Sequence, residues 1–336
     1  MKNFSKSIAL VLFFALSLVG CTTTPTTTNG TTTAGTTAAV ETTTATTQGT
    51  PETTTAAEAV TAEETVYPLE VTSADGTTVT LESEPQRIVS ISPTFTEVLF
   101  ALGAGDRMVG RTDYCDYPAE TQNIESVGSM VTPSVEKIVE MEPDLVLVSF
   151  MEQEMLEKVE ESGAKVIQIP SSDSIEGSYA GMEKIGEIVN ANEEAAKLVE
   201  TIKTDIATIV EKVKDQEPVT AYYVAGFGKN GDYTAGANTF MNDLIVAAGG
   251  DNIAKDAEGW SYTAEKLLEK DPQYIFIGSM SQMTDDFKAT EPYNNLTAVK
   301  EDQVVELDDN IISREGPRMA EAVEAIAKAL HSEMFD

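Results

Sequence analysis

Histidine is almost missing from this chain: His331, near the C-terminus, is the only one in 336 residues. That scarcity removes most histidine-based metal sites, and Ser-His or Cys-His nucleophile pairs with them. Cysteine is nearly as rare. Cys21 and Cys115 are the whole complement, and once Cys21 is assigned to the modification described below, no intrachain disulfide remains. Stability must therefore come from a packed core, which a chain of this length can supply. Positive charge is short as well, with 22 Lys and Arg against 56 Asp and Glu and a formal charge of -34. Such a balance argues against nucleic acid and against polybasic attachment to anionic lipid. No phosphate loop, zinc signature or nucleophile elbow occurs. Gly103-Ala-Gly105 and Gly226-Phe-Gly228 read instead as a helix stop and a strand turn. The expectation is a protein that is not an enzyme and holds neither a metal nor a resident cofactor.

What is present begins with an address. Lys2 and Lys6 precede a short apolar run, Ile8 to Val19, which is too short to cross a bilayer as a helix. Its flanks read as a secretory signal. Leu18-Val19-Gly20-Cys21 resembles the bacterial lipobox, which implies cleavage before Cys21 and acylation of its thiol. Residues 1–20 are then a lipoprotein signal peptide, and losing Lys2 and Lys6 takes the charge to -36, since no acidic residue lies there. A single acyl chain holds a protein only marginally, at about 0.8 kcal/mol per buried methylene. The two or three chains that the resemblance implies would anchor it firmly. Beyond Cys21, the stretch to residue 65 is dominated by Thr, with Ala, Gly and Pro. It cannot bury enough surface to offset ordering entropy and predicts a flexible tether spanning roughly 35 Å.

Ordered structure is expected from about Tyr67. Alternating runs around Ala74-Asp75-Gly76 predict a hairpin. Arg87-Ile-Val-Ser-Ile, Leu145-Val-Leu-Val and Lys165-Val-Ile-Gln-Ile read as strands with helical segments between them, the grammar of a parallel sheet covered by helices. Residues 192–215 form the longest helical pattern. Leu198, Ile202, Ile206, Ile209 and Val213 share one face of a helix about 36 Å long. A second α/β half follows from Thr220. Ser134–Val148 aligns with Thr263–Ile277 without a gap, each with a Ser/Thr cap, an acidic first turn, a Pro stop and an apolar strand. The predicted plan is an N-terminal α/β lobe with a leading hairpin over 66–190, a connecting helix over 191–216 and a C-terminal α/β lobe over 217–336. Two matched lobes imply a cleft, where ligands favour binding.

From Tyr67 onward the chain resembles the substrate-binding proteins of ABC importers for cobalamin and ferric siderophores. The resemblance is carried by Arg87-Ile-Val-Ser-Ile-Ser-Pro-Thr-Phe-Thr-Glu, Gly110-Arg-Thr-Asp-Tyr-Cys-Asp-Tyr-Pro, Ser134-Val-Glu-Lys-Ile, Ala248-Gly-Gly-Asp-Asn-Ile, Thr263-Ala-Glu-Lys-Leu and Arg314-Glu-Gly-Pro-Arg. It implies two Rossmann-like lobes joined by one long helix, the class III arrangement, with the ligand between them. By motif it places permease-docking carboxylates at Glu136 and Glu265, the same pair that the internal match aligns. Tyr114 falls where cobalamin binders set an aromatic against the ligand. Where those binders often carry a Trp on the first lobe, this chain has Met130. Phe227, Tyr233, Asn238 and Trp260 are the second-lobe candidates. Arg314 and Arg318 are the cations that an anionic ferric siderophore would need, although Arg318 could also pair within the final helix. The resemblance implies an extracytoplasmic, lipid-anchored monomer that captures a corrinoid or a ferric chelate. It would work with an ABC permease and ATPase.

Overall fold

The computed structural model describes residues 63–229, 231–257 and 259–335. Cys21, the expected signal peptide over 1–20 and the expected tether over 21–65 as far as residue 62 lie outside the described residues. The chain is tied to the segment 187–190 just before the hairpin. Thr65 donates from its amide to Asn190 Oδ1 at 2.7 Å and from its hydroxyl to the Glu187 carbonyl at 2.8 Å.

Alternation builds the hairpin. In β1 (Leu69–Thr72) Val71 is buried between exposed neighbours, and β2 (Thr78–Leu81) turns Leu81 inward. Gly76, at φ 85°, supplies the left-handed turn, and Asp75 accepts from the Thr77 amide and hydroxyl. The first lobe then runs β3 (Ile88–Ser90), α1 (Pro93–Ala101), β4 (Met108–Arg111), α2 (Val135–Glu140), β5 (Leu145–Val148), α3 (Gln153–Glu161), β6 (Lys165–Gln168) and α4 (Ile175–Ile188). Its sheet is all parallel in the order β4-β3-β5-β6. All four residues of β5 are buried, as a strand covered on both faces requires.

The chain turns at Asn190, φ 54°, into α5 (Asn192–Val213). Ala195, Val199, Ile202, Ile206, Ile209 and Val213 are buried at spacings of three or four. Leu198, expected on this stripe, sits at its edge and is only partly buried. The second lobe follows with β7 (Val219–Val224), β8 (Asp232–Tyr233), α6 (Phe240–Ala247), β9 (Gly250–Asn252), β10 (Ser261–Tyr262), α7 (Ala264–Lys270), β11 (Tyr274–Gly278), α8 (Thr284–Ala289), α9 (Thr297–Lys300), β12 (Val304–Leu307), α10 (Asp309–Ile312) and α11 (Met319–Leu330). Helix α5 packs on α4 in the first lobe and on α11 in the second. A continuous apolar core passes between the lobes through these helices and α6.

The second parallel sheet has the order β12-β11-β7-β9. Numbered within each lobe, both sheets read second, first, third, fourth, so the topology is repeated. The matched segments repeat in detail. Ser134 Oγ accepts from the Lys137 amide and Thr263 Oγ1 from the Lys266 amide, so both helices are capped alike. Glu142 at φ 45° and Asp271 at φ 40° occupy the equivalent left-handed position before Pro143 and Pro272.

Candidate functional site

In parallel α/β sheets, ligands gather outside the carboxyl ends of the strands. Here the loops leaving those ends in one lobe meet the loops leaving them in the other. The junction is ionic. Glu97, in α1 after β3, has a side chain only 1% exposed. It accepts from Arg314 Nη1 at 2.8 Å, Arg318 Nε at 2.9 Å and Arg318 Nη2 at 2.7 Å. Both arginines come from the segment between α10 and α11 of the opposite lobe. Arg314 also donates to Asp116 Oδ1 at 2.7 Å, to the Tyr114 carbonyl at 3.1 Å and to Asn310 Oδ1. Arg318 lies over the Tyr117 ring at 4.2 Å, so Tyr117 carries a cation.

Two expectations change here. Arg314, read as facing an anionic ligand, points into this network with a side chain 10% exposed. Arg318, read as ligand-facing or paired within the last helix, crosses to Glu97 instead. The reason is desolvation: a carboxylate buried on α1 needs both guanidiniums to remain charged. Glu97 was visible in the sequence as the one acid inside Phe95-Thr-Glu-Val-Leu-Phe, an otherwise apolar helical run.

One further hydrogen bond joins the lobes, and one carboxyl lies at their junction. Asp243, in the first turn of α6, accepts from the Ile175 amide at the start of α4 at 3.1 Å. Glu315 reaches among Thr94, Ser172 and Ser178 beside a cavity of about 20 Å³, room for about one water. Burial chiefly, with Asp173 adding repulsion, pushes its carboxyl up to about 7.

Above this floor the aromatic candidates divide. The loop after β4 is pinned by buried Arg111, which donates to the carbonyls of Thr121 and Thr112 at 2.8 and 2.9 Å. Tyr114 projects from that loop, 51% exposed. Met130 is partly buried beside exposed Val131. On the second lobe β8 and β10 form a two-stranded ribbon, Tyr233 opposite Ser261, and the Thr234 amide donates to the Trp260 carbonyl. The ribbon therefore brings Tyr233 and Trp260, 43% and 49% exposed, into adjoining positions. Phe227 is different. It sits edge-on to Phe287 and Tyr293 at 5.1 and 5.3 Å and anchors its loop to the core. Asn238 is exposed one residue before Thr239, the cap of α6.

Sequence reading missed Phe150 and Met280, 67% and 58% exposed. Each lies just past the carboxyl end of a buried strand, β5 or β11, and a bulky apolar residue at that place was the available signal. A larger hollow of about 630 Å³ lies beside the network, lined by Phe100, Asp106, Tyr117, Glu120, Arg318 and Glu321. Glu136 and Glu265 are both exposed in the first turns of α2 and α7, and neither forms an ion pair among the described residues. His331 is buried at the end of α11 with Nε2 3.2 Å from the Gly249 carbonyl. Among the described residues no cluster of His, Cys, Asp and Glu is arranged to hold a metal, and no helix is long and apolar enough to cross a membrane.

Comparison with known proteins places this geometry. The profile of the periplasmic binding protein family matches residues 88–311. The uncharacterized ABC transporter substrate-binding lipoprotein YvrC of Bacillus subtilis (strain 168) is 32% identical over 80% of this chain and 88% of its own. A cobalamin-binding protein of Halobacterium salinarum is 29% identical over 79% of this chain and 75% of its own. Among solved structures, an ABC-type Fe3+-hydroxamate transport system from Saccharomonospora viridis matches with a TM-score of 0.66 at 24% identity, over 79% of this chain and all of that one.

Proposed function

This chain belongs to the periplasmic binding protein family, and from that premise we propose that it captures a corrinoid or a ferric chelate in the interlobe cleft for an ABC importer. The observation that carries the ligand reading is the trio of exposed rings. Tyr114 stands on one lobe, and Tyr233 and Trp260 on the other, each roughly half exposed. An aromatic side chain buries about 150–250 Å² in full, so covering the remaining half yields roughly 2–3 kcal/mol per ring before ordering costs. A flat or bulky metal chelate would cover all three. The cobalamin-binding relative supports the corrinoid, and the Fe3+-hydroxamate neighbour keeps the ferric chelate as the second reading. Isothermal titration of the domain with cyanocobalamin and a panel of ferric siderophores tests it. Absence of binding to every one would sink the reading.

Delivery follows from the exposed carboxylates. Glu136 and Glu265, on helices of matched topology, would orient the loaded protein on arginines of the permease. Exposed ion pairs are worth about 0.2–1 kcal/mol each, enough to set a pose and too little to hold one. Uptake in a Glu136→Ala/Glu265→Ala double mutant is the check, and normal transport would refute the role. Acylation of Cys21 would keep the protein at the membrane surface, a reading supported by the lipobox and by the name of the Bacillus relative. Cys21→Ala is expected to impair uptake and leave the Kd for ligand unchanged.

A further inference from the structure

We infer that the cleft selects ligands of zero or positive net charge; the inference rests on the capture reading above and narrows it. The argument is a census of the charged groups on the loops that leave the carboxyl ends of the two sheets. Arg314 and Arg318, the cations nearest the lobe junction, are matched by Glu97 and Asp116, two guanidiniums against two carboxylates. Their donors are turned to protein acceptors as well, so the cluster presents no net positive charge to an anion. Lys255, after β9, pairs with Asp251 at 2.7 Å. Lys266, on α7, pairs with Asp256 at 3.3 Å, and Lys137, on α2, pairs with Glu125 at 3.9 Å and donates to the Ser126 carbonyl at 2.9 Å.

Lys229, after β7, and Arg111, at the end of β4, form no ion pair among the described residues; Arg111 is buried with its donors on the Thr112 and Thr121 carbonyls, which leaves Lys229 as the exposed one. It is exposed, and a hydrated ammonium on a flexible stem is a weak anion hand. Against it stand Asp113 after β4, Asp173 after β6, Asp232 after β7, and Asp308 and Asp309 after β12. Some of these already hold protein donors. Ser126 Oγ donates to Asp113, Tyr293 donates to Asp232, and the Met280 amide donates to Asp309. Hydrogen bonding leaves their negative charge in place. A triply anionic ferric catecholate, or a porphyrin carrying free carboxylates, would bring like charge into this field. Exposed aromatics together with neutral groups such as Asn238 and Ser129 suit an apolar chelate rimmed by amides or hydroxamates.

Trp260 is the single tryptophan of the chain, so its fluorescence reports occupancy directly. Four probes are titrated: cyanocobalamin, cationic ferrioxamine B, triply anionic ferric enterobactin and haemin. At least one of the first two should bind about tenfold or more tighter than either anion. An anion as the tightest of the four would overturn the inference while leaving capture itself intact. No binding by any of them would bring down the capture reading and this inference together. Salt adds an independent arm. Between about 20 and 500 mM NaCl, any residual anion binding should strengthen as the carboxylates are screened. Weakening instead would reveal an attractive cation and refute the assignment.

Discussion

Replacing Glu97 with Gln tests the ionic junction most sharply. The side chain is 1% exposed and receives three hydrogen bonds from two arginines whose side chains are 10% and 13% exposed. Removing one member of a buried ion pair costs about 3–5 kcal/mol, because the partner charge is left without compensation. Asp116 still holds Arg314 in the variant, which argues for the lower end, about 3 kcal/mol. For a domain of this size each kcal/mol moves Tm by about 2–4 °C, so a fall of roughly 6–12 °C is expected. Urea unfolding followed by circular dichroism measures the free energy, with constancy of the m-value as the check on two-state behaviour. A triple variant, Glu97→Leu with Arg314→Met and Arg318→Met, should recover most of the loss, since an apolar replacement of the whole cluster is often neutral or better. A Glu97→Gln protein within about 1 kcal/mol of the parent would refute the claim that this network joins the lobes.

Glu315 predicts a pH dependence of definite sign. Its carboxyl titrates at about 7 in the folded protein against 4.5 ordinarily, so the folded state holds the extra proton. Its contribution to stability is therefore complete below about pH 4.5 and is lost as pH rises toward and through 7, on the order of 3 kcal/mol in all. Glu315→Gln should flatten that part of the stability curve and be the more stable protein at pH 8, as thermal melts across pH would show. Trp260→Ala and Tyr114→Ala should each weaken ligand binding by roughly 2 kcal/mol, about thirtyfold, with Tm changed by no more than a few degrees. Phe227→Ala should do the reverse. Its ring anchors a loop against Phe287 and Tyr293, so loss of stability of about 2–3 kcal/mol should dominate, and a variant that loses affinity without stability would restore Phe227 to the ligand wall.

The fold was legible because its signals are local. Apolar strands such as Leu145–Val148, the heptad-like stripe of α5 and the caps at Ser134 and Thr263 each declare themselves within a few residues. The internal match predicted even the common helix-to-strand turn, now seen as left-handed Glu142 and Asp271 before their prolines. The site was legible only in part. Tyr114, Tyr233 and Trp260 were named through the family resemblance, and all three are exposed. Glu97 and Arg314 lie 217 residues apart, so no window of sequence could show that one neutralises the other. A guanidinium in a loop reads as a ligand hand until its partner is known. Phe150 and Met280 were hidden for the opposite reason: a large apolar residue beside an apolar strand reads as more strand until its exposure is seen.

One covalent bridge, α5, connects two lobes of the same topology, yet the lobes also grip each other through Glu97 and Asp243. Opening the lobe junction like a hinge would pull a carboxylate away from two guanidiniums and break the hydrogen bond from the Ile175 amide, at the start of α4, to Asp243. Gaping is thereby opposed by every one of those bonds. Such a molecule behaves as a calliper set to a fixed gauge. On the proposed function, cargo would be taken by fit and given up under leverage applied from outside. The work of release then falls to whatever grips both arms at once.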